Sequence, residues 1–380
     1  MRGLYGLQQS GHVWYQTLAR AFKELGFDMR AVDHAIFVRC KPKGKVIVAT
    51  STDNLLMISE HLKRLEVVKR GLKKYFKMTD LGEARWLLGV EIRCNCAKRT
   101  LSLSQSVYVQ TILGQFSLEK ANTVTSPMDL GVHLTKSQSP TTENEKDNMA
   151  NIPYCELIGS LMYTAVAMCP NIAHTVTALS QFLKNPRHAH WQAVQRVLKY
   201  LKGTADFGLT YGLADSIGMP EGKPMGYTDV DFALQEHWHL VLGYAFLVHG
   251  GAILWSLKTQ AVIALSSTEA EYIASTHVVK EAKWLGMLFL EIGIEEPQPF
   301  LLSANNQSAI ALMKDNAFHS HMKHINIPYH YVCEAVEKGD LCLDYVKTDL
   351  NLADVFTKPL GRVKSKTFSW MLGLARLPNV

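Results

Sequence analysis

An aspartate set between two apolar strands is the first feature of this sequence that could do chemistry. Residues 46–59 read VIVATSTDNLLMIS, with β-branched and apolar residues on both sides of Ser51-Thr52-Asp53-Asn54. The pattern predicts a tight hairpin that carries the carboxylate of Asp53 at its tip. Because turns also favour Asp and Asn, two interpretations remain open. The tip is an ordinary turn, or it is a metal site that has lost one ligand.

Basic side chains recur along residues 61–77, HLKRLEVVKRGLKKYFK, where apolar spacing predicts an amphipathic helix. A helix face of this kind contacts phosphates or is simply solvated, and the sequence leaves both readings open. The cations in question are Lys63, Arg64, Lys69, Arg70, Lys73 and Lys74.

Charge is distributed unevenly along the 380 residues, although the net charge is only +6. Residues 1–130 contain 20 Lys and Arg against 11 Asp and Glu, whereas the remainder contains 20 against 23. A basic first third suggests a polyanion as partner or is simply a solvated surface, and charge alone leaves both interpretations open. With 47% apolar and 19% charged residues, the chain is globular rather than disordered.

Cysteine usage and hydropathy restrict where the chain is expected to work. The seven cysteines are odd in number and lack metal-finger spacing, which indicates reduced intracellular thiols. There is no signal peptide and no apolar run of about 18 residues that could span a membrane. We therefore expect an intracellular protein, cytoplasmic or nuclear, without a membrane partner. The abrupt amphipathic start suggests that the sequence begins inside a domain.

The elements that must position these residues form an α/β pattern. We predict a helix at 12–25, strands at 35–39 and 45–50, a polar loop at 131–151, and helices throughout 152–203. From residue 225 the pattern alternates between strands and helices, with a hairpin turn at Gly250-Gly251. Further predicted details are a linker at 212–224, a capping box from Ser266 to Glu269, a helix interrupted by Pro328, and Asn351 as N-cap of a last helix.

Many motifs in collinear order resemble the reverse transcriptase and ribonuclease H portion of Ty1/copia-type retrotransposon Pol polyproteins. They are LYGLQQSGHVWY, STDN, MTDLGEARWLLGVEI, LSQSVYV, YCELIGSLMYTAVAMCPNIAHTV, HWQAVQRVLKYLKGT, YTDVDFA, ALSSTEAEY, NNQSAI, KHINIPYHYV and LADVFTKPL. The resemblance implies a truncated reverse transcriptase palm at 1–105, thumb or connection helices at 106–215, and a ribonuclease H-like mixed-sheet domain at 222–380.

In the palm, the resemblance implies a polymerase centre that has lost ligands. The family tip is usually Tyr-Val-Asp-Asp, and its chemistry uses two Mg²⁺ ions held by carboxylates. Here Asp53 stands as a remnant beside the neutral Asn54, and the third family carboxylate would lie upstream of residue 1. Trp86 and Gly89 resemble the primer-grip hairpin, although periodicity alone would make this stretch part of a core.

In the C-terminal part, the resemblance implies four positions that converge on two Mg²⁺ ions. They are Asp229, Glu271, Asn305 and Asp354, with an amide at the third position where the family has a carboxylate. Glu269 and Glu271 could instead serve capping and dipole roles, and Asp354 could be a first-turn helix residue and nothing more. We leave Asp231 out of the set, on the expectation that it faces the opposite side of the strand.

Lys323 and His324 match a family Lys-His pair, for which a basic helix face is an adequate alternative. The expected partner is an RNA–DNA hybrid or another nucleic acid, and the sequence sets no oligomeric state. Three hypotheses follow: an inactive remnant, a non-enzymatic nucleic-acid-binding protein, and a weak metal-dependent ribonuclease H that uses Asp229, Glu271 and Asp354.

Overall fold

The computed structural model describes most of the chain as two compact units. One unit comprises Met1–Ala84 and Lys283–Glu296, and the other comprises Arg85–Ala282 and Pro297–Val380. The described residues are 7, 9–41, 44–132, 134–135, 138–140, 142–213, 224–231, 241–259, 267–294, 299–314 and 326–377.

Helices and strands alternate along the chain. The helices are α1 (Ser10–Glu24), α2 (Leu62–Leu72), α3 (Ser106–Gln115), α4 (Glu143–Ala150), α5 (Tyr154–Ala167), α6 (Ala173–Ser180), α7 (His188–Gly203), α8 (Ser267–Glu291), α9 (Gln307–Lys314), α10 (Asn326–Glu337), α11 (Asp354–Thr357) and α12 (Arg362–Met371). The strands are β1 (Asp28–Met29), β2 (Ile36–Lys41), β3 (Gly44–Ser51), β4 (Asn54–Ser59), β5 (Trp86–Leu87), β6 (Val90–Asn95), β7 (Thr100–Ser104), β8 (Phe207–Tyr211), β9 (Met225–Asp231), β10 (Val241–Val248), β11 (Gly251–Thr259), β12 (Phe300–Ala304), β13 (Leu341–Tyr345) and β14 (Leu374–Arg376).

The first unit is a small antiparallel meander covered by helices. Its four strands pair in the order β1-β2-β3-β4. The buried face of the sheet packs against α1 and α2 through a core that contains Phe22, Phe37 and Val48, each at most 1% exposed. Phe22 and Phe37 stack with ring centroids 4.5 Å apart. Burial of one helix face and one sheet face explains why the apolar residues of this region recur with the helical and strand periods.

The second unit contains two five-stranded sheets. One is antiparallel in the order β14-β8-β7-β6-β5, and the other is mixed in the order β11-β10-β9-β12-β13. In the mixed sheet β9 pairs antiparallel with β10 and parallel with β12, so the central strand is β9. Because β12 and β13 are parallel neighbours, the chain must cross over between them, which it does through α9 and α10.

A large apolar core joins the elements of the second unit. It includes residues of α5, α6 and α7, such as Leu157, Val176 and Leu198, together with Ala245 of β10 and Phe356 of α11, each at most 1% exposed. The mixed α/β class predicted from the sequence is confirmed. The three-part division at 105 and 215 stays a prediction. In the antiparallel sheet, β8 pairs with β7 and β14 pairs with β8.

Several local predictions need correction. Residues 143–150, predicted as part of a loop, form α4. The Thr142 side chain caps this helix by accepting a hydrogen bond from the Glu145 N–H at 3.4 Å. α10 begins two residues before Pro328, in the first turn, where the missing proline N–H is not needed. The predicted linker at 212–224 is described only at its two ends, and Ser266 lies outside the described residues.

The burial of α2 makes a testable prediction, because two adjacent valines differ completely in exposure. Val68 is 0% exposed and Val67 is 51% exposed. We expect Val68→Ala to lower the free energy of unfolding by about 2 kcal/mol, since it removes buried methyl groups and leaves a cavity. Val67→Ala, its matched control, should change it by less than about 0.5 kcal/mol. Urea denaturation measures both, and equal losses would contradict the orientation of α2.

Candidate active site

Asp229 lies at the centre of the mixed sheet, on β9. It pairs with Gly243 of β10 and is only 2% exposed. Burial raises the pKa of its carboxyl group, while the charge of Lys358 and the hydroxyl of Thr357 act in the opposite direction. A carboxylate in this position requires partners, because an ionised group removed from water is costly unless it is compensated.

α11 brings Asp354 to the same place by lying across β10. The close approach depends on Gly243, where an added Cβ would be 2.6 Å from Cβ of Phe356 and 2.9 Å from Cγ2 of Thr357. The Thr357 hydroxyl, one turn after Asp354, donates to the Asp229 carboxylate. No sequence pattern indicates a role for Gly243, because that role appears only when α11 packs against β10.

Asn351 fixes the segment that leads into α11. Its side chain Nδ2 donates to the Thr228 carbonyl at 2.9 Å, and its Oδ1 accepts from the Ala353 N–H at 3.2 Å. The prediction that Asn351 is a helix N-cap is wrong, because the residue before α11 is Ala353. Asn351 instead ties the approach to Asp354 onto the strand that carries Asp229, and it is 0% exposed.

Asn305 completes the contact with Asp229. It follows β12, directly before Asn306, whose side chain accepts from the Ala309 N–H at 3.0 Å at the start of α9. The amide Nδ2 of Asn305 donates to Asp229 Oδ1 at 3.1 Å, while its Oδ1 is buried without a hydrogen-bond partner among the described residues. The amide therefore acts as a donor where a carboxylate could only accept.

Glu271 is held beside these groups by the first turns of α8. It is 6% exposed. Burial, reinforced by the charge of Asp229, raises its pKa to about 8. Its Oε2 has no hydrogen-bond partner within the described part of the chain. In this arrangement the Glu271 side chain is neutral over much of the physiological pH range.

Two lysines reach from the solvent side into the acidic cluster, which is formed by Asp229, Glu271 and Asp354. Lys358 Nζ lies 2.7 Å from Asp354 Oδ1 and 3.9 Å from Asp229 Oδ2. Lys364 Nζ, from α12, lies 2.7 Å from Asp354 Oδ2. Each oxygen of the fully buried Asp354 carboxylate thus faces an ammonium group. Burial would lower the pKa of Lys358, but the neighbouring carboxylates outweigh it and the pKa is raised.

Asp231 also belongs to this electrostatic environment. Residues two apart on a strand share a face, so the expectation that Asp231 faces away from Asp229 is wrong. Its charge is one of those that raise the pKa of Lys358. It is half-buried at the end of β9.

The fit to Mg²⁺ can be judged from the atoms present. The cluster offers hard oxygen atoms, including the unpartnered Oε2 of Glu271, which suit such an ion. Yet Lys358 stands between Asp229 and Asp354, and Asn305 presents its nitrogen to Asp229. Within the described ranges, no group of three or more His, Cys, Asp or Glu side chains is arranged to hold a metal ion. As arranged, the residues do not fit a pair of divalent ions.

The hairpin in the first unit has the predicted form. Ser51 of β3 pairs with Asn54 of β4, which leaves Thr52 and Asp53 as a two-residue turn. Thr52 has a positive φ of 54°, and its carbonyl accepts a 2.8 Å hydrogen bond from the Trp14 indole N–H. Asp53 and Asn54 are both exposed, at a tip that has the geometry of a tight turn.

The basic residues around α2 divide into two groups. Lys69 pairs with Asp80 at 2.8 Å and is half-buried. This hydrogen bond lowers the pKa of Asp80. Arg70, Lys73 and Lys74 are exposed at the end of the helix. The second group therefore presents three positive charges to solvent.

The predicted primer-grip stretch forms a hairpin of β5 and β6 in the second unit. Leu87 pairs with Val90 across a turn of Leu88 and Gly89, both with positive φ. The hydroxyl of Tyr163 donates to the Leu88 carbonyl at 2.7 Å and braces this turn. Trp86 is 52% exposed and Leu88 is 59% exposed. The stretch is thus an apolar surface rather than a core element.

Lys323 and His324, the remaining predicted binding residues, lie outside the described residues. In the part of the chain that the structure covers, none of the helices combines the length and apolar character that a membrane crossing requires.

Comparison with known proteins identifies the family. The reverse transcriptase (RNA-dependent DNA polymerase) family matches residues 1–130. The chain is 36% identical over 375 residues to the retrovirus-related Pol polyprotein from transposon TNT 1-94 of Nicotiana tabacum. This alignment covers 98% of the chain and 28% of the relative. The chain is 32% identical to that from transposon RE1 of Arabidopsis thaliana, over 99% of the chain and 25% of the relative.

The chain belongs to the Pol polyproteins of Ty1/copia-type retrotransposons, and it spans about a quarter of the length of these relatives. Among solved structures, it is similar to the foamy viral protease-reverse transcriptase in complex with RNA/DNA hybrid. That similarity has a TM-score of 0.45 and 13% identity, over 94% of this chain and 40% of the other.

Replacement of Gly243 tests the approach of α11 to β10. We expect Gly243→Ala to destabilise the protein by about 1–3 kcal/mol, because the new methyl group overlaps Phe356 and Thr357. Gly159→Ala is the matched control, since Gly159 is exposed on α5 and an added Cβ there meets nothing within 4 Å. It should stabilise by up to about 1 kcal/mol through helix propensity. Destabilisation of similar size in both variants, measured by chemical denaturation, would contradict this packing.

The raised pKa of Glu271 predicts a pH-dependent stability. An acid whose pKa rises from 4.5 to about 8 on folding contributes stability that is present below the lower value and lost as the pH passes through the higher one. We expect the melting temperature of the wild type to fall by about a few degrees relative to Glu271→Gln as the pH rises over this range. Glu156→Gln, at an exposed position of α5, is the control. Parallel pH profiles of wild type and Glu271→Gln, measured in chelator, would exclude the effect.

Proposed function

We propose that this chain is a nucleic-acid-binding reverse transcriptase/ribonuclease H portion of a retrotransposon Pol polyprotein and that both of its catalytic centres are inactive. The observation that carries the proposal is the 3.1 Å hydrogen bond from Asn305 Nδ2 to Asp229 Oδ1. It joins an amide to the carboxylate that the family chemistry requires as a metal ligand.

The loss at position 305 acts on charge as well as on geometry. When bound, a pair of divalent ions would activate water and stabilise the charge that develops on the phosphate. Such ions prefer anionic oxygens, and an amide supplies none. In this chain, Asn305 uses its donor to stabilise Asp229, so the two residues support one another as a structural pair.

The tip of the β3–β4 hairpin supports the same interpretation for the polymerase centre. Asp53 is exposed beside Asn54, so the described tip presents one carboxylate where the resemblance implies two. Phosphoryl transfer depends on positioning and on compensation of negative charge. A single solvated carboxylate supplies little of either.

Nucleic-acid binding is favoured by the exposed cations at the end of α2. Arg70, Lys73 and Lys74 are exposed at the end of one helix in the first unit, whereas Lys69 is already engaged by Asp80. Cations of this kind bind phosphates without sequence preference, and their contribution weakens as salt rises. Of the six cations named on this segment, we therefore assign contact with the nucleic-acid backbone chiefly to Arg70, Lys73 and Lys74.

A second contact of a different kind is favoured at the β5–β6 hairpin. The indole of Trp86 is half exposed and is carried on a turn that Tyr163 braces. Aromatic side chains presented in this way stack on bases or sugars. Each stacked base contributes about 1–3 kcal/mol to the free energy of binding. Taken by itself, each surface fits a nucleic acid, the first through its phosphates and the second through accessible bases or sugars, as at the end of an RNA–DNA hybrid.

Binding is tested with a fluorescent RNA–DNA hybrid over a series of salt concentrations. We expect Arg70→Ala/Lys73→Ala/Lys74→Ala to weaken binding by at least about tenfold and to reduce the slope of log affinity against log salt by about 2–3. The charge-matched control is Arg20→Ala/Lys23→Ala/Lys41→Ala, which removes three exposed cations elsewhere in the first unit. No binding by the wild type at low salt, or equal losses in both triple variants, would refute the assigned surface.

Catalysis is tested on the same hybrid in Mg²⁺ and in Mn²⁺. We expect no cleavage by the wild type. Cleavage that Asp229→Asn abolishes would instead establish the alternative, a weak ribonuclease H that works with Asp229, Glu271 and Asp354. Cleavage gained by Asn305→Asp in a folded protein would refute the inactivity of a centre whose only defect is the amide and would support the placement of the third acidic position.

A further inference from the structure

We propose that Lys358 and Lys364 are built-in counter-cations of the acidic cluster, so that two ammonium groups take the positions that divalent ions would otherwise need. The proposal concerns the same centre as the proposed function, but it rests on the ion pairs and not on the absence of cleavage.

The geometry of Asp354 carries the first step. Its carboxylate is 0% exposed, and its two oxygens lie 2.7 Å from two different lysines. A carboxylate buried this completely is unstable without positive charge beside it. Two close ammonium groups therefore occupy both sides of the group on which a metal ion would have to bind.

The position of Lys358 carries the second step. Lys358 is the residue immediately after α11. Its Nζ lies between two carboxylates, 2.7 Å from Asp354 Oδ1 and 3.9 Å from Asp229 Oδ2. A bridging cation is the usual way to hold two carboxylates together, and here a lysine does so. A divalent ion that bridged the same pair would compete with Lys358 for the same oxygens.

The side chains of both lysines explain how the arrangement can persist. Each is about one-third exposed, at 33% and 29%, so the chain enters from solvent and only the charged end meets buried atoms. Lys364 is also held over the Phe368 ring at 5.2 Å from its centroid. Because the two ammonium groups are part of the protein chain, the carboxylates are compensated without an ion from solution.

A matched pair of lysine variants tests the proposal by thermal unfolding of the full chain in chelator and in Mn²⁺. Lys358→Met keeps the hydrocarbon chain and removes the charge. We expect it to melt several degrees below the wild type in chelator and to recover most of that loss in Mn²⁺, while the wild type responds little to Mn²⁺. Lys338→Met is the control, because Lys338 also pairs with a carboxylate four residues earlier, Glu334, but at the exposed surface.

Direct Mn²⁺ binding, measured by the electron paramagnetic resonance signal of the unbound ion, should be at least tenfold tighter for Lys358→Met than for the wild type. Stabilisation of the wild type by Mn²⁺ to the same degree would overturn the proposal. It would also be overturned if Lys358→Met neither lost stability in chelator nor gained it in Mn²⁺.

Two further variants test the Asp354–Lys358 ion pair if Lys358→Met does not fold. One keeps both charges of the pair, and the other removes both. Lys358→Arg keeps the charge and should remain stable without Mn²⁺. Asp354→Asn/Lys358→Met removes both charges, so it should be more stable than Lys358→Met in chelator and should show no response to Mn²⁺. If the double variant is no more stable than Lys358→Met, the pair is not coupled and the proposal fails.

The outcome is independent of the proposed function. Hybrid cleavage by the wild type would refute inactivity whatever the melting temperatures show. Stabilisation by Mn²⁺ without cleavage would refute the counter-cation role and leave inactivity intact.

Discussion

The buried carboxylate of Asp354 is the constraint around which the second unit is arranged. It lies where α11 crosses the mixed sheet, with 0% exposure, and a charge in that position must be compensated. Two lysines supply the compensation, one from the end of α11 and one from α12. The packing of α11 onto β9 and β10 and the electrostatics of the centre are therefore one problem, since neither Asp354 nor its lysines could be placed there alone.

The neutral groups of the centre matter as much as the charged ones. Asn351 ties the segment before α11 to β9, Thr357 donates to Asp229, and Asn305 donates to the other oxygen of the same carboxylate. With Glu271 uncharged, the two buried carboxylates of Asp229 and Asp354 face two ammonium groups, while the nearby Asp231 is only half-buried at the end of β9. A centre balanced in this way is stable as a folded core, whereas a metal-dependent centre must leave negative charge uncompensated until its ions arrive.

The sequence allowed the elements to be predicted where local periodicity is strong, as in α1, the β3–β4 hairpin and the helices after residue 152. It failed at α4, because that helix is polar and is recognised by its Thr142 cap rather than by an apolar face. The convergence of Asp229, Asn305 and Asp354 was predicted only through the resemblance. No periodicity within β9, α9 or α11 reveals that these separate segments meet, since parallel pairing and crossovers are non-local.

Gly243, Lys358 and Lys364 were missed for the same physical reason. A glycine in a strand has many explanations, and a lysine near a helix end is usually solvated. Each acquires its meaning only from the packing: Gly243 from the approach of α11, and the two lysines from the complete burial of Asp354, which lies four and ten residues before them. The residues that decide whether this centre accepts a metal ion are thus not the acidic positions that define the family motif. They are the neighbouring cations and the amide, which determine how much negative charge is left for an ion to bind.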